Sequence, residues 1–253
     1  MGNWLKATFG PGREVRESGR PPSANGASSM HAHWLELPPR IVSCSVDITV
    51  TTRPTSDDLH FWALQASFVD GGRRFGAGHF GLQHYPQHPG SCAVNWGGYH
   101  SDAGGELSGT TSPLPSAANN VNTRDCMWSE GVRYRYDITQ SANGWTGTLT
   151  DTSTGEPTTV RELFAPSSHL GNIVMWSEVF ARCEGPSSTV RWQNATVTTD
   201  GGTAHPITAF SLTYQAHHEG GCSNTSTTTD RDSIVQTTAT TRVHEHGAVL
   251  KLN

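Results

Sequence analysis

Apolar and polar residues alternate with a period of two in one segment of the chain after another, the signature of strands with one buried face. In Leu59 to Val69 the apolar set is Trp62, Leu64, Ala66 and Phe68, and the β-branched run Ile41 to Thr52 precedes it across a turn at Arg53 to Asp58. Phe80 and Leu82 alternate with His79, Gly81 and Gln83, so one face of that strand is apolar and the other carries an imidazole and an amide. Val132, Tyr134, Tyr136 and Ile138 alternate with Arg133, Arg135 and Asp137, and Asn143-Gly144 then turns the chain into Trp145 to Thr150 as a hairpin. A further strand is expected at Thr158 to Phe164. Asn172 to Cys183 is apolar on both sides apart from Glu178, as in a strand covered on both faces. Val190 to Thr199, Ile207 to Gln215 and Ile234 to Leu252 complete a set of about ten or eleven strands at sandwich spacing.

Two regions break the pattern. Residues 1 to 29 carry Gly, Pro, Ser and Arg without periodicity and read as a flexible arm or linker, dispensable for folding, leaving residues 30 to 253 as one domain. Tyr99 to Arg124 has no apolar period either, and a connector of that length within a compact domain commonly borders a functional site. The tetrapeptide Met-Trp-Ser-Glu occurs at Met127 to Glu130 and again at Met175 to Glu178, but the flanking residues differ, so it marks no repeat.

Composition narrows the class. Over 253 residues, 15% are charged and 34% hydrophobic, with abundant small polar residues, as expected for short strands joined by tight turns. The net charge of -5 supplies no basic field for phosphates, so nucleic acid is not an expected partner. No apolar run is long enough for a membrane helix, and residues 1 to 30 lack the apolar stretch of a signal peptide, which makes a cytoplasmic location the expectation. On the same ground Cys44, Cys92, Cys126, Cys183 and Cys222 are expected to be free thiols. The sequons at Asn194 and Asn224 then carry little meaning.

The stretches FWALQASFVDGGRRFGAGHFGLQHYP and WSEGVRYRYDI resemble an uncharacterised family of bacterial proteins with a concanavalin-like lectin/glucanase sandwich. The shared pattern is an aromatic strand, a GG turn, a GLQ strand and a strand opened by Trp and Gly; it runs from about Trp34 to Leu252. The resemblance implies an antiparallel two-sheet jelly-roll and a carbohydrate-related neighbourhood, and it assigns no catalytic residue.

The polar positions of the alternating strands nominate a site. His79 and Gln83 face outward if Phe80 and Leu82 enter the core, Asn95 lies between Val94 and Trp96, and Arg133 and Arg135 face outward opposite Tyr134 and Tyr136. Trp96, Trp145 and Trp176 adjoin polar alternation or a glycine turn and are nominated as groove walls, although a sandwich tryptophan commonly belongs to the core. Glu178 is the sharpest feature. A carboxylate inside MWSEVFA needs a partner, and either an ion pair with Arg133 or Arg135 or a raised pKa suited to proton transfer would satisfy it. Histidine pairs such as His217-His218 and His244-x-His246 lack a clear third ligand, so no metal is expected, and no dinucleotide or phosphate-binding fingerprint indicates an organic cofactor. Two functions fit these residues. One is a carbohydrate- or glycoconjugate-binding sandwich that uses Gln83, Asn95, Arg133 and Arg135 with the tryptophans. The other is a cyclase, isomerase or hydrolase type of enzyme with Glu178 and His79 as acid and base on a small cyclic or glycosylated molecule.

Overall fold

A computed structural model describes residues 15–101 and 104–252. Its strands are β1 (Ser28–Trp34), β2 (Ile41–Thr52), β3 (His60–Asp70), β4 (Arg73–His84), β5 (Cys92–His100), β6 (Thr123–Asp125), β7 (Arg133–Gln140) and β8 (Gly144–Asp151). They continue as β9 (Pro157–Phe164), β10 (His169–Val179), β11 (Thr189–Thr199), β12 (Ala204–Pro206), β13 (Ala209–Tyr214), β14 (Thr225–Asp230), β15 (Ser233–Thr238) and β16 (Val249–Lys251). Every pairing between them is antiparallel.

The strands form two layers. The front sheet runs β6-β5-β4-β3-β10-β1-β13-β16, and the back sheet runs β14-β15-β11-β2-β7-β8-β9 with β12 on β11. They meet at a corner where Leu170 of β10 pairs with Ile41 of β2. The period-two side chains fill the space between the layers: Trp62, Leu64, Phe68, Phe80, Leu82, Val94 and Trp96 from the front, Val46, Ile48, Tyr136, Ile138, Trp145 and Trp192 from the back. Each such side chain stabilises the fold by roughly 1.5–3 kcal/mol relative to exposure.

Several polar atoms carried into this core are paired. The Tyr136 hydroxyl accepts from the Leu82 N–H at 2.7 Å and donates to the Trp62 carbonyl at 3.2 Å, which ties the layers together. The Trp96 indole donates to the Trp145 carbonyl at 3.1 Å, and Trp145 stacks on Phe68 with centroids 5.8 Å apart. Trp96 and Trp145 are therefore inter-sheet core residues, fully buried, and not groove walls. Glycine turns flank them, but their strand parity points inward with Phe80 and Tyr136.

Several boundaries differ from the sequence reading. Strand β1 straddles the expected arm boundary, with Ser28, Met30, Ala32 and Trp34 buried and Ser29, His31 and His33 turned outward. Its period of two runs into the aperiodic residues that precede it. The Thr-rich stretch before Ile234, outside the strands expected from sequence, forms β14, because its threonines pair with β15 at the edge of the back sheet. The strand expected over Ile234 to Leu252 is β15 and β16 with irregular chain between. The connector from residue 101 to 122 holds only isolated bridges among its described residues.

Residues 15–27 lie along one end of the sandwich. The Cys183 N–H donates to the Gly19 carbonyl at 2.9 Å, the Ser223 N–H donates to the Arg16 carbonyl at 2.6 Å, and Arg20 pairs with Asp58 at 2.7 Å. Residues 1–14 lie outside the described residues. The segment is fastened beside a disulfide, Cys183–Cys222, which corrects the expectation of five free thiols; Cys44, Cys92 and Cys126 are free. The cysteines are 39 residues apart in sequence, so only the tertiary path of the loops after β10 and β13 reveals the pair. Among the described residues no helix is long and apolar enough to cross a membrane.

Candidate functional site

The outward face of the front sheet is built as three cross-strand rows. The first is Ser29, Glu178, Phe61 and Gln83; the second is Thr213, His31, Trp176, Ala63, Gly81 and Asn95; the third is His33, Val174, Gln65, His79 and Gly97. Directly opposed side chains on one face lie within contact range. The middle row is small at its centre, and at Gly81 a Cβ would lie 1.9 Å from the Trp62 carbonyl oxygen, so the floor stays bare there. At Gly97 a Cβ would meet the His79 Nε2 at 3.2 Å, so that glycine leaves room for the imidazole.

Over this floor opens a cavity of about 450 Å³, lined by residues from β1, β3, β4, β10 and β13, among them Glu178, His31, His79, Gln65 and Trp176. Phe61, Ala63, Val174 and Trp176 form a separate apolar cluster on this face. Trp176 meets Phe61 edge-on at 4.9 Å, and His79 lies 5.8 Å from Phe61 and 6.4 Å from Trp176 between ring centroids. Trp176 is thus an edge-packed wall with 8% of its surface exposed.

Glu178 is the one carboxyl among the residues lining this cavity. Its Oε1 accepts a hydrogen bond from the Asn25 side-chain amide at 2.8 Å. Burial raises its pKa above the ordinary 4.5, and the Asn25 bond opposes that shift without cancelling it. The imidazoles beside it stay neutral: burial lowers both His31 and His79 to about 4, with His33 adding to the shift at His31. His33 is lowered too, first by burial and then by His246, and it shares a 3.0 Å hydrogen bond with the Thr213 hydroxyl. The His31 Nδ1 is buried and has no partner. The site therefore combines one carboxyl of raised pKa with uncharged hydrogen-bonding groups and no cation along its lining.

The structure brings together only part of the residues nominated from sequence. Glu178, His79 and Trp176 line the cavity, and Gln83 and Asn95 sit on the same face in adjoining rows, both nearly buried. The Asn95 amide donates to the Thr123 hydroxyl at 2.8 Å, while the Gln83 Oε1 and Asn95 Oδ1 have no partner.

Arg133 and Arg135 are elsewhere. Both face outward from β7 in the back sheet, where Arg135 donates to Asp47 at 2.8 Å and Arg133 approaches the same carboxylate at 4.0 Å. The expected pairing of Glu178 with either arginine is corrected: alternation places a residue on one face of its own sheet but not on which of two sheets, and β7 pairs with β2 and β8.

Residues not nominated complete the cavity: Ser29, His31 and His33 from β1, Phe61 and Gln65 from β3, and Thr213 from β13. The stretch Met30-His31-Ala32-His33-Trp34 carries a legible period-two signal, hidden by its closeness to the aperiodic N-terminal residues. Asn25 has no sequence signal, because only the path of the chain brings it to Glu178. Among the described residues, no three His, Cys, Asp or Glu side chains converge as metal ligands.

No protein-family model matches the chain, and comparison with curated proteins gives no match. The resemblance to a bacterial family thus stands for fold alone. Among solved structures, scytalido-glutamic peptidase with a peptide-based transition state analog aligns at 12% identity and a TM-score of 0.46, covering 83% of this chain and 97% of that one. SCP-B, a member of the eqolisin family of peptidases in complex with the tripeptide Ala-Ile-His, aligns at 12% identity and a TM-score of 0.43, with the same coverages. Peanut lectin with a nine-residue peptide aligns at 12% identity and a TM-score of 0.30, covering 88% of this chain and 75% of that one.

Proposed function

We propose that the chain is a hydrolase of acyl bonds, of peptide or amide type, with Glu178 as the group that moves the proton. One observation carries the reading: a carboxyl with a raised pKa stands alone in a cavity whose other polar groups are neutral donors. The buried carboxylate of Asp47 has cations beside it, whereas half-buried Glu178 has an amide. Glycoside hydrolysis ordinarily employs two carboxyl groups about 5–9.5 Å apart, and this cavity offers one.

Acyl hydrolysis needs one such group. The Glu178 carboxylate takes a proton from water as the water oxygen bonds to the carbonyl carbon, and the carbonyl electron pair moves onto its oxygen. Neutral His31, one rung from Glu178 on the neighbouring strand, donates an N–H to that oxygen. The protonated Glu178 then passes its proton to the leaving nitrogen as the carbon–nitrogen bond breaks and the carbonyl re-forms. Trp176, Phe61 and His79 exclude water from one side and hold the chain of the substrate.

The test is amine release from a defined mixture of short peptides, followed against pH. Glu178→Gln should retain binding and lose turnover, because the amide keeps the shape and removes the transferable proton. In the active protein the rate should rise with pH through the Glu178 pKa, above 4.5, since the carboxylate form accepts the proton. Turnover that survives in the Gln variant overturns the reading.

A carbohydrate-binding module on the same face is the second reading, favoured by the unpartnered amide oxygens of Gln83, beside Phe61, and of Asn95, at the far end of the row of Trp176. Saccharide binding that depends on those amides, with no bond cleaved in any peptide, would select it.

A further inference from the structure

The cavity at Glu178 opens at one end into a second depression of about 490 Å³, with His33, Gln65 and Val174 common to both. The second depression is donor-rich. Arg74 stands at its rim with an exposed side chain whose Nη2 donates to the Tyr99 hydroxyl at 3.2 Å, and it has no carboxylate partner among the described residues. Gln65, at the mouth shared with the first cavity, adds an amide. Asn172 supplies an amide from a β-bulge: the register of β10 with β3 shifts between Gly171 and Val174, and Asn172 takes a left-handed backbone with φ of 44°. Ser67 adds a hydroxyl, and no carboxyl lines the space among the described residues.

Arg74 is also continuous with the catalytic end through an aromatic wall. Its guanidinium lies 5.9 Å from the Tyr99 ring, Tyr99 stacks on His79 at 6.5 Å, and His79 adjoins Trp176. A cation, amides and a hydroxyl around one space with no carboxyl in its lining call for an anionic acceptor, and a planar carboxylate suits a guanidinium best.

We propose that this depression is a specificity subsite that takes a carboxylate of an extended peptide substrate, with Arg74 as the group that selects it. The inference rests on the acyl-hydrolase reading for the substrate class and deepens it. Its reach is set by the sheet: Val174, at the shared mouth, is four positions from Glu178 on β10, roughly 13 Å at strand rise, or about four residues of extended substrate. The acidic residue is therefore expected several positions from the bond that is cut and on one side of it only.

The experiment walks a single glutamate along an amidated, N-acetylated alanine-glycine octapeptide, with glutamine at each position as the control. Affinity is measured on the full chain carrying Glu178→Gln, so that binding is read whether or not the protein cleaves peptides. One or two positions should show a glutamate-over-glutamine preference of about tenfold or more, as a charge-assisted hydrogen bond gives. Adding Arg74→Gln should collapse that ratio, and Arg74→Lys should retain part of it; thermal melting of each variant checks the fold. A uniform ratio along the peptide, an absence of peptide binding, or a preference that survives Arg74→Gln overturns the subsite. Position-dependent binding that needs Arg74, in a protein that cleaves no peptide, upholds the subsite and overturns the hydrolase reading alone.

Discussion

The outward faces of the two sheets alternate alike in sequence and differ in how charge is answered. On the back face, Asp47 is 2% exposed and receives Arg135, Arg133 and the Asn194 amide, so a buried carboxylate is saturated by its neighbours. On the front face, Glu178 sits beside phenyl, imidazole and hydroxyl groups and receives a single amide. A satisfied carboxylate is structural ballast, while one left with a raised pKa and an open cavity is free to exchange a proton with a ligand. The back face also carries Asp137, raised to about 6 by burial and by Asp47 against the opposing Arg135, so the open cavity, and not a raised pKa alone, sets Glu178 apart.

The largest expected effect separates the faces by their readouts. Glu178→Gln should lower turnover by about 10²–10⁴-fold, the usual worth of a general acid or base, without lowering the melting temperature at neutral pH. If activity and melting temperature fall together, Glu178 is as structural as Asp47.

Next comes the clamp beside the front face. Replacing Cys222 with Ser removes a cross-link closing 39 residues, worth about 4 kcal/mol by the chain-entropy account, and hydrogen exchange should rise in residues 15–27 before it rises around Arg135. Thiol labelling of the denatured chain without reductant should find three groups, matching the free cysteines. Five would dissolve the clamp.

Smaller is the change at the back face. Arg135→Gln removes charge-assisted hydrogen bonds from Asp47 and should cost about 1–3 kcal/mol, a few degrees of melting temperature, with turnover intact.

The smallest effect is a pH dependence of stability with opposite signs within the front face. Glu178 has a raised pKa, so its contribution is full below 4.5 and is lost as pH rises through the raised value. His31 and His79 have pKa values lowered from 6.5 to about 4, so theirs is full above 6.5 and is lost as pH falls through about 4. The melting temperature of Glu178→Gln relative to the unaltered protein should therefore climb with pH. A flat difference would mean that Glu178 is not desolvated.

Alternation made the sandwich legible because burial on one face imposes period two wherever a strand is long enough, as in β3, β4 and β7. It also carried Glu178 and His79 to one cavity, since outward parity on the front sheet is a local property. It could not assign Arg133 and Arg135 to a sheet, because that depends on pairings with β2 and β8 rather than on the strand itself. Nor could it separate Trp176 on the front face from Trp96 and Trp145 in the core: all three stand in alternating runs, and only the direction of the pleat differs. The disulfide and the Asn25 contact join residues far apart in sequence through loops, where no period exists to read.

Strand β1 is the first strand among the described residues and lies within the front sheet, between β10 and β13. Its partners are separated from it by some of the longest sequence intervals in the fold: Met30 pairs with Ser177 on one side and Tyr214 on the other. His31 and His33 therefore stay unpaired until β10 and β13 have been made, and such non-local closure slows folding. The histidine rung beside Glu178 is therefore expected to form late. A partly folded chain consequently carries Glu178 on β10 without the donors that β1 brings, so recovery of ligand binding during refolding should follow the insertion of β1 rather than the collapse of the core.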